Sequence, residues 1–355
     1  LNQLQPDGSL KLDPVGVPIP TYDQKTITEV AKVFTGWGYY SADSNPSFTG
    51  AAANWLTPMM LYPAFPENGV KTIVGGTVLP ANQGGAKDLK DTLDTLFNHP
   101  NTGPFLSRQL IQRLVTSNPS PGYIYRVAQV FADNGSGVRG DLGAVVRAIL
   151  TDYEARAASV ATTASFGKLK EPLLRATALM RAFNGGANNG RFQFFFNQGA
   201  ESNLGQTPLR APTVFNFFEP NFIQPGVLAS AGLYAPEYQI LTDTTAISQP
   251  NQLWSWLYAN RSGSLGTTVN PNEATIGFVF DNTMLALART PAQLVDYTNL
   301  LLTGGGLPTA IRDRIVTAIT AMPTSTAATF GTTDLERVRS ALYLVATVPQ
   351  SAIQK

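Results

Sequence analysis

The amino-acid sequence predicts a mainly α-helical fold, a multi-helix bundle with long irregular aromatic-rich loops and at most a small β-hairpin. Three observations lead to this prediction. Apolar residues recur with helical spacing in many segments, capping residues precede several of them, and the connections between them are short. No period of about 20 to 50 residues links the segments, which disfavours a solenoid. We expect a single large helical domain over residues 1–355 or, alternatively, a subdivision into 1–160 and 161–355.

The chain before residue 86 is expected to be irregular apart from one helix and one hairpin. Residues 1–20 contain four prolines, whose fixed φ angle disfavours a helix, so we expect a loop or a small hairpin there. Thr21 and Gln24 have capping-box spacing, and a first helix is predicted to begin at Thr21 and end at Gly36. Its predicted apolar face consists of Ile27, Val30, Ala31 and Phe34. A small hairpin is predicted around residues 75–76.

Most of the remaining chain is predicted to be helical. Four helices follow one another closely, over residues 86–98, 103–116, 121–133 and 141–152, with Asp141 as the N-cap of the last. Later helices are expected over residues 171–183, 236–246 and 250–258, followed by three final helices capped or opened by Thr290, Pro308 and Thr333. The segment 184–233 is rich in Gly, Asn, Phe and Pro and is expected to be a long irregular loop.

Composition excludes several classes of function. The net charge is +1, and Lys and Arg are nowhere concentrated, which argues against a nucleic-acid partner. The lack of cysteine in the sequence excludes disulfides, thiolate metal sites and a cysteine nucleophile. No apolar stretch approaches the length of about 18 residues that a spanning helix needs, so we expect no transmembrane segment. Because the chain begins at Leu1 rather than at Met, we expect a processed or partial product.

Three unusual strings occur in order along the chain. They are VFTGW at Val33–Trp37, FGKLKEP at Phe166–Pro172 and LGQTPLRAPTVFNFF at Leu204–Phe218. With these strings, and with the run Leu96–Leu150 between them, the sequence resembles the bacterial family catalogued as domain of unknown function 1800. The similarity covers most of Leu1–Ser248.

The resemblance implies a bacterial protein that is often exported, and therefore a periplasmic, cell-surface or secreted location. It also implies a partner, since relatives are commonly encoded beside a second exported protein of the domain of unknown function 1501 family. A homo-oligomer is an open alternative. The chain looks like the carboxy-terminal portion of the family's domain, without its amino-terminal helical part. No reaction is implied by the family.

Histidine and metal chemistry have little support in the sequence. His99 is the only histidine and precedes Pro100 between two predicted helices, so a structural role is favoured over a catalytic triad or a zinc site. The loop from Asp133 to Asp141 offers closely spaced oxygens but lacks the full acidic pattern of a calcium loop. It is expected to be a turn in which Asp141 caps a helix. We predict no metal site and no cofactor.

Carboxylates are the remaining candidates for catalysis, because two acids with separated pKa values can act as general acid and base. The acids considered are Glu67, Glu171, Glu201, Glu219, Glu237 and Asp243. The cations Lys168, Lys170, Arg175 and Arg210 could neutralise them or hold an anionic ligand. The catalytic candidates are Glu219, Glu237, Glu171, Arg210 and Lys168. A buried network that holds the loop to a helix is the favoured interpretation of these groups.

Aromatic residues form the most pronounced local bias. They are Phe192, Phe194, Phe195, Phe196, Phe215, Phe217, Phe218 and Phe222. Because each aromatic side chain gains about 2 to 3 kcal/mol on burial, packing against the helices is the favoured interpretation. The alternative is an exposed aromatic platform for a carbohydrate or a partner protein. The candidate binding residues are Phe194, Phe196, Phe215, Phe217, Phe218 and Trp37.

Two functional hypotheses follow. Charged residues make up 14% of the chain, against roughly 25% in an average soluble protein, and uncharged polar and aromatic residues replace them. The leading hypothesis is therefore an extracytoplasmic binding or assembly protein that engages a partner protein or a surface polymer through its aromatic-rich loop. The competing hypothesis is a carboxylate-dependent hydrolase or lyase that acts on a glycan or another polymer, which requires two acids at one cleft.

Overall fold

The structure, a computed structural model, describes residues 1–43, 47–48, 54–185, 203–259, 278 and 280–355. This part of the chain is mainly α-helical, as predicted, and includes three small two-stranded antiparallel sheets. The chain divides into two compact units. Unit 1 comprises Leu1–Leu114 with Pro119–Glu154, and unit 2 comprises Val115–Asn118 with Ala155–Lys355.

Unit 1 is built around helices that follow one another closely. They are α1 (Gln24–Val33), α2 (Gly85–Asn98), α3 (Thr102–Leu114), α4 (Pro121–Ala132) and α5 (Leu142–Thr151). Its short strands are β1 (Trp37–Gly38), β2 (Met60–Leu61), β3 (Lys71–Thr72) and β4 (Val78–Leu79). Strand β1 pairs with β2, and β3 pairs with β4 in the predicted hairpin. The predicted spans of α2 to α5 are confirmed to within two residues at each end.

The core of unit 1 lies where α4 packs against α3 and α5. Ser120 caps α4 by accepting a hydrogen bond from the Tyr123 amide, and Pro121 occupies the first turn, where no amide donor is needed. Tyr123 is fully buried, and its hydroxyl donates to the carbonyl of Ile149 on α5. The apolar faces that the sequence predicts for these helices therefore pack against one another. The buried Tyr123 hydroxyl between them has a hydrogen-bond partner.

The first helix differs from its prediction at both ends and in its buried face. Asp23 caps it by accepting a hydrogen bond from the Thr26 amide, so Thr21 is not the cap. Ile27 is about half exposed, whereas Val33 is buried against Ile73 and Leu79. The partner surface selects the buried face, and that surface is made by residues about 40 positions further along the chain.

Residues 1–20 form isolated antiparallel bridges, which agrees with the predicted loop or small hairpin. Leu4 pairs with Leu10 and Leu12 pairs with Pro18. Gly8 and Gly16 take positive φ angles in the two turns, a conformation that glycine adopts without steric cost.

Unit 2 contains longer helices separated by irregular segments. After two short helices, α6 (Tyr153–Arg156, which begins at the end of unit 1) and α7 (Ala158–Ala161), come α8 (Pro172–Ala182), α9 (Val227–Ser230), α10 (Asp243–Trp254), α11 (Asn282–Leu287), α12 (Pro291–Thr303), α13 (Thr309–Ala321), α14 (Thr332–Thr347) and α15 (Pro349–Ala352). A 3-10 helix covers Pro236–Ile240, and a π-helical turn covers Ser255–Ala259. Strand β5 (Lys168–Leu169) pairs antiparallel with β6 (Ile353–Gln354).

Helix α14 is the centre of unit 2. It packs against α11, α12 and α13, and it buries Val338, Leu342 and Val345 completely. Arg337 on the same helix donates to the carbonyls of Ala288 and Met322, which lie just after the ends of α11 and α13. A cation is stabilised there because the carbonyls at a helix end carry partial negative charge.

Pro250 lies inside a helix rather than at the beginning of one. The sequence predicted separate helices over 236–246 and 250–258, whereas α10 runs through Pro250. Thr242 and Thr245 form a reciprocal capping box that starts this helix, as each side chain accepts from the backbone amide of the other. The proline removes one backbone hydrogen bond without ending the helix.

Two other capping predictions were wrong although their helices are present. The Thr290 hydroxyl contacts the side chain of Gln293 and makes no cap to a backbone amide. Helix α14 begins at Thr332, and the Asp334 carboxylate accepts a hydrogen bond from the Gly331 amide. In the part of the chain that the structure describes, none of the helices combines the length and apolarity needed to cross a membrane.

Candidate functional site

The candidate site is the part of the aromatic loop that the structure describes, residues 203–222, here called the aromatic segment. Its beginning is attached to helix α8. Gln206 is buried, and its side-chain oxygen accepts a hydrogen bond from the Leu173 amide while its nitrogen donates to the carboxylate of Glu171. Leu204 is buried beside it. The Leu173 amide, which has no partner within the first turn of α8, and the Glu171 carboxylate thus hold the segment in place.

The end of the aromatic segment is attached to the 3-10 helix and to the residue that precedes it. The Glu219 amide donates to the side-chain oxygen of Gln239 over 2.8 Å, and the Phe222 carbonyl accepts from the Ala235 amide over 2.8 Å. Phe218 is 2% exposed. Its burial supplies the apolar anchor that was expected of this loop.

Between these attachments lies a tight turn, Thr213–Asn216, here called the presented turn. The Asn216 amide donates to the Thr213 carbonyl, and the Phe215 amide donates to the Thr213 hydroxyl. Asn216 has a φ of 74°, in the left-handed region that asparagine tolerates better than most residues. The backbone of the turn is therefore held by its own hydrogen bonds.

The presented turn exposes two apolar side chains. Val214 is 97% exposed and Phe215 is 71% exposed. Leu209, earlier in the same segment, is also fully exposed and has a positive φ angle, which is uncommon for leucine. Single exposed apolar residues are ordinary, whereas Val214 and Phe215 are adjacent and lie on a turn that its own hydrogen bonds hold.

Two of the catalytic candidates form a buried ion pair. Lys168 on β5 has its Nζ atom 3.0 Å from Oε1 of Glu237 in the 3-10 helix, and both side chains are 1% exposed. The other oxygen of Glu237, Oε2, has no hydrogen-bond partner among the described residues. This pair ties β5 to the 3-10 helix that follows the aromatic segment.

The other charged candidates lie in different surroundings. Glu171 is partly buried and accepts the hydrogen bond from Gln206, whereas Glu219 and Arg210 are exposed. Asp243 is exposed at the start of α10, and Glu67 is exposed in unit 1. Glu201 lies outside the described residues.

The aromatic candidates are likewise divided between burial and exposure. Phe215 is exposed, Phe217 is partly buried and Phe218 is buried. Trp37 is partly buried in β1 of unit 1. Phe194 and Phe196 lie outside the described residues.

His99 and the loop after α4 have structural partners in unit 1. The Nδ1 atom of His99 accepts a hydrogen bond from the Asn101 amide, and burial lowers the pKa of this imidazole. Asp133 accepts hydrogen bonds from the amides of Gly135 and Gly137, and Asp141 caps α5. Over the residues that the structure describes, no three His, Asp or Glu side chains are arranged to hold a metal ion.

Sequence reasoning did not single out Val214 or Leu209, the two most exposed apolar residues of the aromatic segment. The signal was present in Thr213-Val214-Phe215-Asn216, where threonine and asparagine flank two apolar residues. Threonine favours a turn because its hydroxyl bonds nearby backbone amides, and asparagine favours one because it tolerates the left-handed conformation.

The fold and this segment define the class of protein: a mainly helical protein whose irregular loop presents a small apolar turn. The family model described as protein of unknown function (DUF1800) matches residues 13–352. The chain therefore belongs to the DUF1800 family, and the match extends well beyond the stretch ending at Ser248 that the motifs indicated. Neither the comparison with curated proteins nor that with solved structures yields a match.

Proposed function

We propose that the chain is an extracytoplasmic binding or assembly protein and that the presented turn docks into an apolar recess on a partner protein. The observation that carries the proposal is the exposure of Val214 and Phe215 on a turn whose backbone is already ordered. An ordered turn loses little conformational entropy on binding, so more of the contact energy appears as affinity.

The chemistry of the turn favours a protein over a polysaccharide. Valine and phenylalanine offer aliphatic and aromatic surface without a hydrogen-bond donor or acceptor, whereas sugars need polar partners as well as a ring to stack on. Aromatic residues surrounded by uncharged surface are typical of the centres of protein interfaces. A second exported protein of the domain of unknown function 1501 family is the partner to test first.

The test is the affinity between the purified chain and that partner, measured by calorimetry. We expect the substitution Val214→Ser together with Phe215→Ser to weaken binding about 30-fold, since losing an interface anchor costs about 2 kcal/mol and each 1.4 kcal/mol is a factor of ten. The fold should be unaffected, because both side chains are exposed.

Ile247→Ser is the matched control. Ile247 is also an exposed apolar residue of unit 2, but it lies on helix α10 rather than on the turn. It should leave the affinity unchanged. Equal losses in both variants, or full affinity in the turn variant, would contradict the proposal. Recovery of the native protein in the cytoplasmic fraction of cells would contradict the extracytoplasmic location.

The competing hydrolase or lyase hypothesis receives no comparable support. Of its candidate acids, Glu237 is paired with Lys168 and Glu171 is bonded to Gln206. A loss of polymer cleavage in a Glu237→Gln variant that still folds would favour it.

A further inference from the structure

A cavity of about 100 Å³ lies within unit 2, beside helix α8. Helices α8 and α10 form its walls, together with the last residues of α12 and α14. It reaches the surface, since Ala178 and Leu301 line it and are exposed. It is separate from the presented turn, none of whose residues lines it.

Most of the wall is apolar. Leu179, Leu204, Leu253 and Trp256 are buried side chains that face the cavity. Such a surface favours a ligand with an apolar group, because burial removes that group from water. The enclosed volume is about two thirds of the roughly 150 Å³ of a cavity known to hold benzene, and because the cavity opens to solvent this volume limits only the buried apolar group, to about four carbon atoms.

Two cations also line the cavity. The Lys170 ammonium donates to the carbonyl of Leu302 over 3.2 Å. The Arg175 guanidinium donates to the side-chain oxygen of Gln249 over 3.1 Å and to the carbonyl of Ala346 over 3.2 Å. All three acceptors are uncharged, and no described carboxylate forms an ion pair with either cation.

The carbonyls of Leu302 and Ala346 account for part of the stabilisation of the two cations. Leu302 and Ala346 lie in the last turns of α12 and α14, where cations are stabilised by the helix dipole. Lys170 has three N–H donors, and one of them makes the hydrogen bond described above. Arg175 has five, and two of them make such hydrogen bonds. Burial lowers the pKa of both groups, and the nearby charge of Arg175 further lowers the pKa of Lys170, which agrees with two cations that share the cavity without a described carboxylate partner.

Gln249 provides an independent observation. Its side chain is about nine-tenths buried, and its Nε2 atom has no hydrogen-bond partner among the described residues. The orientation of the amide is set by Arg175, which needs the oxygen as acceptor, so the donor end must be the one without a partner. A buried donor without an acceptor is costly unless a ligand or water supplies one.

We propose that this cavity binds a small apolar carboxylate anion, with the carboxylate at Lys170, Arg175 and Gln249 and a chain of about four carbons against the leucines and Trp256. Planar carboxylate oxygens match the fork of a guanidinium, and a neighbouring ammonium adds charge. The apolar wall selects against inorganic anions, which would lose hydration there without gaining contacts.

The experiment is a calorimetric titration of the full chain with sodium pentanoate. Pentan-1-ol and pentylammonium serve as ligands of similar shape without negative charge, and inorganic phosphate serves as an anion without an apolar group. Pentanoate should bind, and the other three should bind at least tenfold more weakly.

Three variants locate the site. Lys170→Met should weaken pentanoate binding at least tenfold, because it removes a charged donor. Ala178→Phe should abolish binding by filling the mouth, and it is expected to fold since Ala178 is exposed. Arg181→Met removes an exposed cation from the same helix α8 and should change nothing.

Several outcomes would overturn the proposal. They are no binding of pentanoate, equal binding of phosphate or pentan-1-ol, equal losses in Arg181→Met and Lys170→Met, and unchanged binding in Ala178→Phe. If Lys170→Met does not fold, Ala178→Phe decides alone, with its circular dichroism compared with that of the natural chain.

Discussion

Lys168 Nζ lies 3.0 Å from Oε1 of Glu237, and this ion pair is almost completely withdrawn from solvent. Burying two charges is costly, and the pair is tolerated because each neutralises the other. Removing one partner leaves the other charge buried without compensation, so the pair is more sensitive to single substitutions than an exposed ion pair would be.

We therefore predict that Lys168→Met destabilises the protein by about 3 to 5 kcal/mol, measured as the free energy of unfolding in urea. Lys168→Met combined with Glu237→Gln should recover much of this loss, because the second substitution removes the stranded carboxylate. Additive losses in the double variant would show that the two charges are not coupled.

His99 should make stability depend on pH in the range where imidazole titrates. Burial lowers its pKa from 6.5 in the folded state, so the unfolded chain binds the proton more readily. This contribution is complete above pH 6.5 and is lost as the pH falls from that value through the lower folded-state pKa. His99→Asn retains an acceptor for the Asn101 amide and should flatten the dependence of the urea midpoint between about pH 7 and pH 5.

No other histidine is present in the sequence to confuse this measurement. A midpoint that rises on acidification in the natural chain, or an unchanged slope in His99→Asn, would be incompatible with a lowered pKa of this imidazole.

Arg126 should protect unit 1 against acid. Its guanidinium contacts Asp152 through two hydrogen bonds and Glu154 through one. Burial acts to raise the pKa of Asp152, but hydrogen bonds from Arg126 and the Glu154 amide outweigh it and hold that pKa below 3.8. The resulting stability is present above pH 3.8 and is lost as the pH falls through the folded-state pKa.

Arg126→Met should thus move acid unfolding to higher pH and cost about 1 kcal/mol at neutral pH, a modest value because the arginine is partly exposed. Circular dichroism during an acid titration measures the shift. Arg147→Met, which removes an exposed cation from α5, is the control and should shift acid unfolding much less, since the charge of Arg147 is only the smallest cause that lowers the pKa of Asp141. A larger shift in the control would refute the role of Arg126.

Gly140 should not tolerate a side chain. Its φ is 77°, and an added Cβ atom would lie 2.6 Å from the ring of Phe97. Gly140→Ala is expected to cost about 1 to 3 kcal/mol more than Gly137→Ala, because Gly137 has almost the same φ but no atom within 4 Å of an added Cβ. Thermal unfolding of the two variants tests the difference, and equal melting temperatures would show that Phe97 moves away without cost.

Helix spans were predictable because the signals that set them are local. Asp141 and Pro121 act within one turn of the helices they begin, and helices α4 and α5 lie where these signals place them. Pro250 shows the limit of such signals, since proline favours the first turn of a helix, yet the interior of a helix tolerates it where other contacts offset the lost hydrogen bond.

The candidate sites were less predictable. Lys168 and Glu237 were both considered, but their separation of 69 positions gave no reason to pair them. Lys170 and Arg175 were considered as anion-binding groups, yet Gln249, Leu253 and Trp256, which help to complete their cavity, lie more than 70 positions further along the chain. Phe215 was proposed as a binding residue on composition, which cannot distinguish it from the buried Phe218 three positions later.

The sequence by itself determined the mainly helical class, the family, and the lack of any cysteine chemistry, because these depend on residue types and on spacings within a few turns. The tertiary structure decided which apolar face of a helix is buried, which charges meet, and which aromatic side chain reaches solvent. Those outcomes depend on the surface that distant parts of the chain provide. Burial and ion pairing are properties of that shared environment, and a local pattern does not contain it.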